Sequence, residues 1–173
     1  MVDRLLVVTS DEWSVELASV KSPEALGLLR EYFVDVADRY FLLHEGRRAT
    51  PEEIETALVD SPSHDLAPPT GVFLLGWHEG ELAGCAGLRL QDNRTVELTR
   101  FFVRPAFRGT GGGRALLAAV DQTARNLGAT RIILDTRLDL TEARTLYTKT
   151  GYQEIPAYKQ DKYAEIWYSK ALV

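Results

Sequence analysis

The spacing of apolar residues changes several times along the chain, and each change marks an element. Residues 5–8, LLVV, are a short apolar run and read as a strand. Ser22-Pro23-Glu24 reads as a helix start, because serine caps and proline fits the first turn. Leu26, Leu29, Phe33, Val36, Tyr40 and Leu43 then recur at helical spacing, so one face of that helix is buried. Thr50-Pro51-Glu52-Glu53 carries a capping-box pattern and opens a short helix through Ile54 and Leu58. Pro62, Pro68 and Pro69 make 61–70 a loop. Residues 72–77, 82–90 and 95–103 read as strands. Tight turns at Glu79-Gly80 and at 91–94 make them an antiparallel meander. Residues 111–127 return to helical spacing, with Leu116, Val120, Ala124 and Leu127 on one stripe and Gly128 as the stop. RIILDT at 131–136 is a strand. Asp139 and Glu142 are placed to cap a helix running to Thr150, which Gly151 ends. Residues 152–155 and 163–169 read as two last strands. Helices interleaved with strands predict a mixed sheet, and 95–136 should form a right-handed parallel crossover.

Composition narrows the class. At 173 residues, 45% hydrophobic and 26% charged, the chain is a globular domain and not a disordered, collagen-like or coiled-coil one. Folding at this length buries roughly 70% of the unfolded surface, so the core needs no disulfide or metal. A lone cysteine, Cys85, excludes an intrachain disulfide and a multi-cysteine metal site. The start, MVDRLLVVTSDEW, lacks a long apolar signal region, and no stretch approaches the ~18 apolar residues that span a bilayer. The expectation is a soluble, cytoplasmic protein without membrane or nucleic-acid partners. The net charge is −5, yet Arg94, Arg100, Arg104, Arg108 and Arg114 face only one acid, Glu97, within 94–114. A +4 segment in an acidic chain points to one anionic ligand site.

That segment holds the most informative motif, VRPAFRGTGGGR at 103–114. Glycine-dense backbone between a strand and a helix N-terminus directs several N–H groups at one spot, where the helix dipole adds to the attraction for phosphate. Arg108 and Arg114 supply cations. There is no Walker lysine. The dinucleotide fingerprint fails in both registers, with Arg114 or Leu116 where its last glycine belongs.

Arg108-Gly109-Thr110-Gly111-Gly112-Gly113, with Val103-Arg104-Pro105 upstream, GRALL at 113–117 and LYTKTGY at 146–152, resembles the GNAT superfamily of acyl-CoA-dependent N-acyltransferases. By order of elements the resemblance covers 72–169. It implies an α/β (α+β) fold with a mixed, mainly antiparallel sheet of six to seven strands and about four helices. The sheet would be splayed between the fourth and fifth strands, 95–103 and 131–136. Residues 1–173 would form one domain, with 1–70 shaping the acceptor pocket and 71–173 the acyl-CoA core. The implied activity is transfer of acetyl from acetyl-CoA, as cosubstrate and without a metal, to a primary amine by direct attack. The acceptor would be a small molecule or peptide. The alternative is a non-catalytic acyl-CoA sensor of the same fold.

The resemblance also implies roles. The cofactor would be held by Phe101, Phe102 and Val103 along the pantetheine arm and by Arg108, Gly109, Thr110, Gly111, Gly112, Gly113 and Arg114 at the pyrophosphate. A bulge in relatives' strands leaves side-chain parity beyond about Leu98 open. Glu97 is the implied general base, against a salt bridge to Arg94 or Arg100 or an ordinary strand position. Tyr147 is the implied acid, since a phenol of pKa about 10 protonates a departing thiolate of pKa about 8.5; otherwise it is a packed aromatic. Relatives often place Asn where this chain has Leu140. Cys85 reads as core, and His44, His64 and His78 lack metal-ligand spacing. Tyr152 reads as packing behind the last helix. Tyr32, Tyr40 and Phe41 are core, with some free to line an acceptor pocket. Asp35, Asp38, Glu52, Glu53 and Glu55 are helix-surface charge. A late strand pair offers an edge for a homodimer.

Overall fold

A computed structural model describes residues 6–9 and 12–173. The first two strands, β1 (Leu6–Thr9) and β2 (Trp13–Ala18), pair antiparallel. Leu5, the first residue of the expected opening strand, lies outside the described residues. Residues 13–18 lie outside the strands expected from the sequence. Their alternation is a strand signal all the same: Trp13 and Val15 are buried on one face. An eighth strand therefore joins the seven read from the sequence.

Helix α1 (Pro23–Glu45) starts where expected. The Ser22 side chain accepts from the Ala25 amide, and Gly46 ends the helix at φ 67°. Helix α2 (Pro51–Asp60) has both halves of the capping box, Thr50 with Glu53. The meander follows as β3 (Gly71–His78), β4 (Glu81–Leu90) and β5 (Thr95–Val103). A 3-10 turn at Pro105–Phe107 leads to α3 (Gly112–Asn126), then β6 (Arg131–Thr136), α4 (Thr141–Lys149), β7 (Gln153–Ile155) and β8 (Ile166–Ala171). The last strand begins three residues later than read, because 156–165 forms a loop. Helix α4 is not capped by Asp139 or Glu142. Leu140 holds the cap position and makes no side-chain bond, and Asp139 instead accepts from Arg137.

The sheet order is β1-β2-β3-β4-β5-β6-β8-β7, antiparallel except for β5 with β6. Alternate side chains feed two cores. On one face Trp13, Leu74, Leu88, Val96, Leu98 and Ile132 pack with Leu116 and Val120 of α3. On the other Phe73, Leu75, Cys85 and Phe102 pack with Leu28 and Leu29 of α1. Cys85 is fully buried, as read.

Two irregularities in β5 place the site. Cys85 pairs with Phe102 but Gly87 pairs with Thr99, so β5 carries one extra residue there. The bulge sits at Arg100, whose φ is +55°. It reverses side-chain parity: Val96 and Leu98 face the α3 core, whereas beyond it Phe101 and Val103 do so and Phe102 faces α1. The second irregularity is the splay. Only Thr95, Val96 and Glu97 pair with β6. Past Glu97 the two strands part, while β6 continues along β8 to Thr136. These are the fourth and fifth strands of the sequence reading, renumbered because β2 precedes them.

Candidate active site

A cavity of about 1320 Å³ runs from the glycine loop through the splay to α1 and α2. Phe101, Phe102, Val103, Arg108, Gly109, Gly111, Gly112, Gly113 and Arg114 all line it, as does Tyr147. Thr110 is the member of the expected cofactor set that does not. Its hydroxyl donates to the Phe107 carbonyl at 2.6 Å and accepts from Trp13 Nε1 at 3.0 Å.

The loop's glycines serve two purposes. Gly109 and Gly111 have φ of +81° and +91°, a left-handed backbone that favours glycine, with open space where a Cβ would stand. Gly112 and Gly113 are there for packing. A Cβ on Gly112 would overlap the Trp13 indole, and one on Gly113 would sit 2.5 Å from Leu146 Cδ2. Among the described residues, the amides from Gly109 to Arg114 donate to no protein acceptor. Arg114 has no carboxylate partner there either, and Arg108 Nη2 stands 3.6 Å from Asp35. Unpaired donors at a helix mouth beside two guanidinium groups fit a diphosphate.

At the splay, Tyr147 is 5% exposed and its ring lies 5.8 Å from Phe101. Among the described residues its hydroxyl makes no hydrogen bond. Burial, aided by Tyr32 and the charge of Asp135, pushes its pKa far above that of an ordinary phenol, so it stays protonated. Tyr152 is buried behind it, at 5.5 Å between rings.

Glu97 is 3% exposed and does not itself line the cavity. Its partners are neither Arg94 nor Arg100. Arg89 donates to Oε1 at 2.9 Å, while Tyr158 (2.7 Å) and Lys159 (3.0 Å) donate to Oε2. Lys159 also reaches Asp135 at 3.0 Å, and Arg89 reaches Asp65. Asp135 lines the cavity, and burial raises its pKa against the pull of Lys159. Asp135, Tyr158 and Lys159 escaped the sequence reading. Their only signal there was position, at the end of β6 and in the loop before β8.

The end of the cavity away from the glycine loop is walled by α1 and α2. Tyr32, Tyr40 and Phe41 all line it. Tyr40 packs edge-on to Tyr163 of the β7–β8 loop at 5.2 Å, and both line the cavity. Across the mouth Arg39 of α1 bonds Glu142 of α4 at 3.0 Å. The surface acids are mostly engaged: Asp38 accepts from the Ala49 amide, and Arg47 holds Glu53 at a pKa of about 2. Leu140 lines the cavity with an apolar side chain.

Residues 29–152, which include the bulged strand, the glycine loop and Tyr147, match the acetyltransferase (GNAT) family. The chain belongs to that family. It is 35% identical over 88 residues to an uncharacterised N-acetyltransferase of Mycobacterium bovis, covering 51% of this chain but only 56% of that relative. An aminoglycoside N(6')-acetyltransferase type 1 of Stenotrophomonas maltophilia is 32% identical over 111 residues, 60% of this chain and 68% of that one. Of solved structures, an acyl-CoA N-acyltransferase fold from Klebsiella pneumoniae superposes with TM-score 0.71 at 23% identity, covering 93% and 98% of the chains. A GNAT acetyltransferase of Elizabethkingia anophelis with acetyl-CoA bound has TM-score 0.61 at 20% identity, covering 94% and 100%. Among the described residues no helix is long and apolar enough to cross a membrane.

Proposed function

We propose that this GNAT protein transfers acetyl from acetyl-CoA to a primary amine in a ternary complex. The observation that carries the reading is the run of unpartnered amides from Gly109 to Arg114, opening on the cavity that reaches Tyr147. The amides and Arg114 would hold the pyrophosphate. Val103 and Phe101, where β5 has left β6, would pair with the pantetheine arm, and Phe102 would flank it from the α1 face.

The neutral amine attacks the thioester carbonyl, an N–C bond forms and the C–S bond breaks. Tyr147, neutral across the physiological range, gives its proton to the departing thiolate. The amine's proton passes into the Asp135–Lys159–Glu97 network. Asp135 is the member that faces the cavity, and Glu97 is the buried acceptor reached through it or through solvent. When the product leaves, the proton held by that network passes through solvent to the Tyr147 oxygen, which restores the neutral phenol.

The acceptor is a small molecule or peptide, and the β7 edge is the surface that a second copy would use. Acetyl-CoA should raise the melting temperature. Free thiol should then be released with an amine panel. A thermal shift without thiol release would favour the sensor, a reading to which Leu140 lends some weight. No shift with either acetyl-CoA or CoA would end both readings.

A further inference from the structure

Arg100 is the residue that this activity leaves unexplained. It occupies the bulge with φ +55°, a left-handed conformation that costs a non-glycine residue roughly 1–2 kcal/mol. Its guanidinium lies over the Phe33 ring at 5.1 Å and lines the acceptor half of the cavity. Its hydrogen bonds all go to neutral oxygens: Nε to Ser63 Oγ at 3.1 Å, Nη1 to Thr99 Oγ1 at 2.9 Å and Nη2 to the Ser61 carbonyl at 3.2 Å.

An arginine has five donors, so one N–H on each Nη atom is left over. Among the described residues no carboxylate pairs with it. Its neighbours differ: Arg89, Lys159 and Arg137 each hold an acid of the fold. The acids that line the cavity without a cation, Glu52, Asp60 and Asp161, are exposed at its rim. Arg100 is therefore the half-buried cation of the acceptor half that has no carboxylate in contact with it among the described residues. The next residue, Phe101, packs on Tyr147 of α4, so a single strand position separates Arg100 from the residue that touches the proposed acid.

We propose that Arg100 anchors a carboxylate of the acceptor, which makes the substrate class a small amino carboxylate. This rests on the acetyl-transfer reading above. A charge-assisted fork gives specificity that a lone hydrophobic wall does not, and Phe33 holds the guanidinium plane in place. The acceptor's carboxylate would sit at Arg100, with its amine directed at the thioester beside Phe101.

The test compares free L-amino acids with their primary amides and decarboxylated amines, by thiol release with acetyl-CoA. Binding of acetyl-CoA is first checked alone by thermal shift. The wild-type protein should favour the free acids in kcat/KM by about ten- to a hundredfold. Arg100→Met should erase that preference, bringing kcat/KM for the free acids down to the level of the amides. Arg100→Lys, which keeps the charge and loses the fork, should fall between. A residue that merely ties down the 61–70 loop would depress both substrate classes alike, and that result overturns the proposal. So does a wild-type protein that binds acetyl-CoA and turns over amides as well as acids, an outcome that needs no variant to fold. Absence of any acetyl-CoA shift removes the underlying reading instead.

Discussion

Trp13 Nε1 donates to the Thr110 hydroxyl at 3.0 Å, and its indole covers the first residue of α3 so closely that only glycine fits at 112. The second strand thus holds the glycine loop from behind. The loop's donors stay unpaired because the side chain that shapes it is turned away from them. Gly112→Ala should therefore destabilise the protein by about 1–3 kcal/mol, the usual cost of overpacking. Urea denaturation measures it. In a Trp13→Leu background, itself less stable, the same substitution at 112 should cost far less, and an additive double mutant would sink the packing argument.

Tyr147→Phe keeps the ring against Phe101 and removes a hydroxyl that bonds nothing among the described residues. Stability should change little. Thiol release should fall by about two to four orders of magnitude, the typical contribution of a positioned acid. Calorimetry should give an unchanged Kd for CoA.

Burial raises the pKa of Tyr147, and likewise those of Tyr32, Tyr152 and Tyr158. In each case the folded state holds the proton more tightly than the unfolded chain. Their stabilisation is complete below the unfolded value of about 10 and is lost as pH rises beyond it. Melting temperature should be insensitive to these groups near neutrality and fall steeply above about pH 10. The pH–rate profile should show no alkaline limb from Tyr147 below that point.

Glu97→Gln leaves Arg89 and Lys159 facing a neutral amide. Removing one partner of a fully buried pair costs about 3–5 kcal/mol. Here Arg89 and Lys159 keep 25% and 36% of their side chains in water, so about 1–3 kcal/mol is expected. The same variant and Asp135→Asn divide the proton path. The one that abolishes the acidic limb of kcat/KM identifies the group that titrates.

Much of the site could be read before the fold was known. Ser22 and Thr50 cap their helices by local chemistry, and Gly109 and Gly111 supply the left-handed turns that a strand-to-helix loop requires. Tyr147 was picked out by its neighbours in sequence. The partners of Glu97 lie outside its own segment, whose nearest cations in sequence are Arg94 and Arg100. Arg89 stands opposite it on β4, and Tyr158 and Lys159 arrive on a loop some sixty residues later. Leu140 showed that a cap need not follow from nearby acids, since Asp139 is drawn off by Arg137.

By itself the sequence determined what depends on contacts between near neighbours: helix starts, turns, the meander and the glycine loop. Only the tertiary structure decided the bulge at Arg100, the parting of β5 from β6 and the cluster around Glu97. Each of those depends on which strands lie side by side and in what register, and register is set by packing on both faces of the sheet at once.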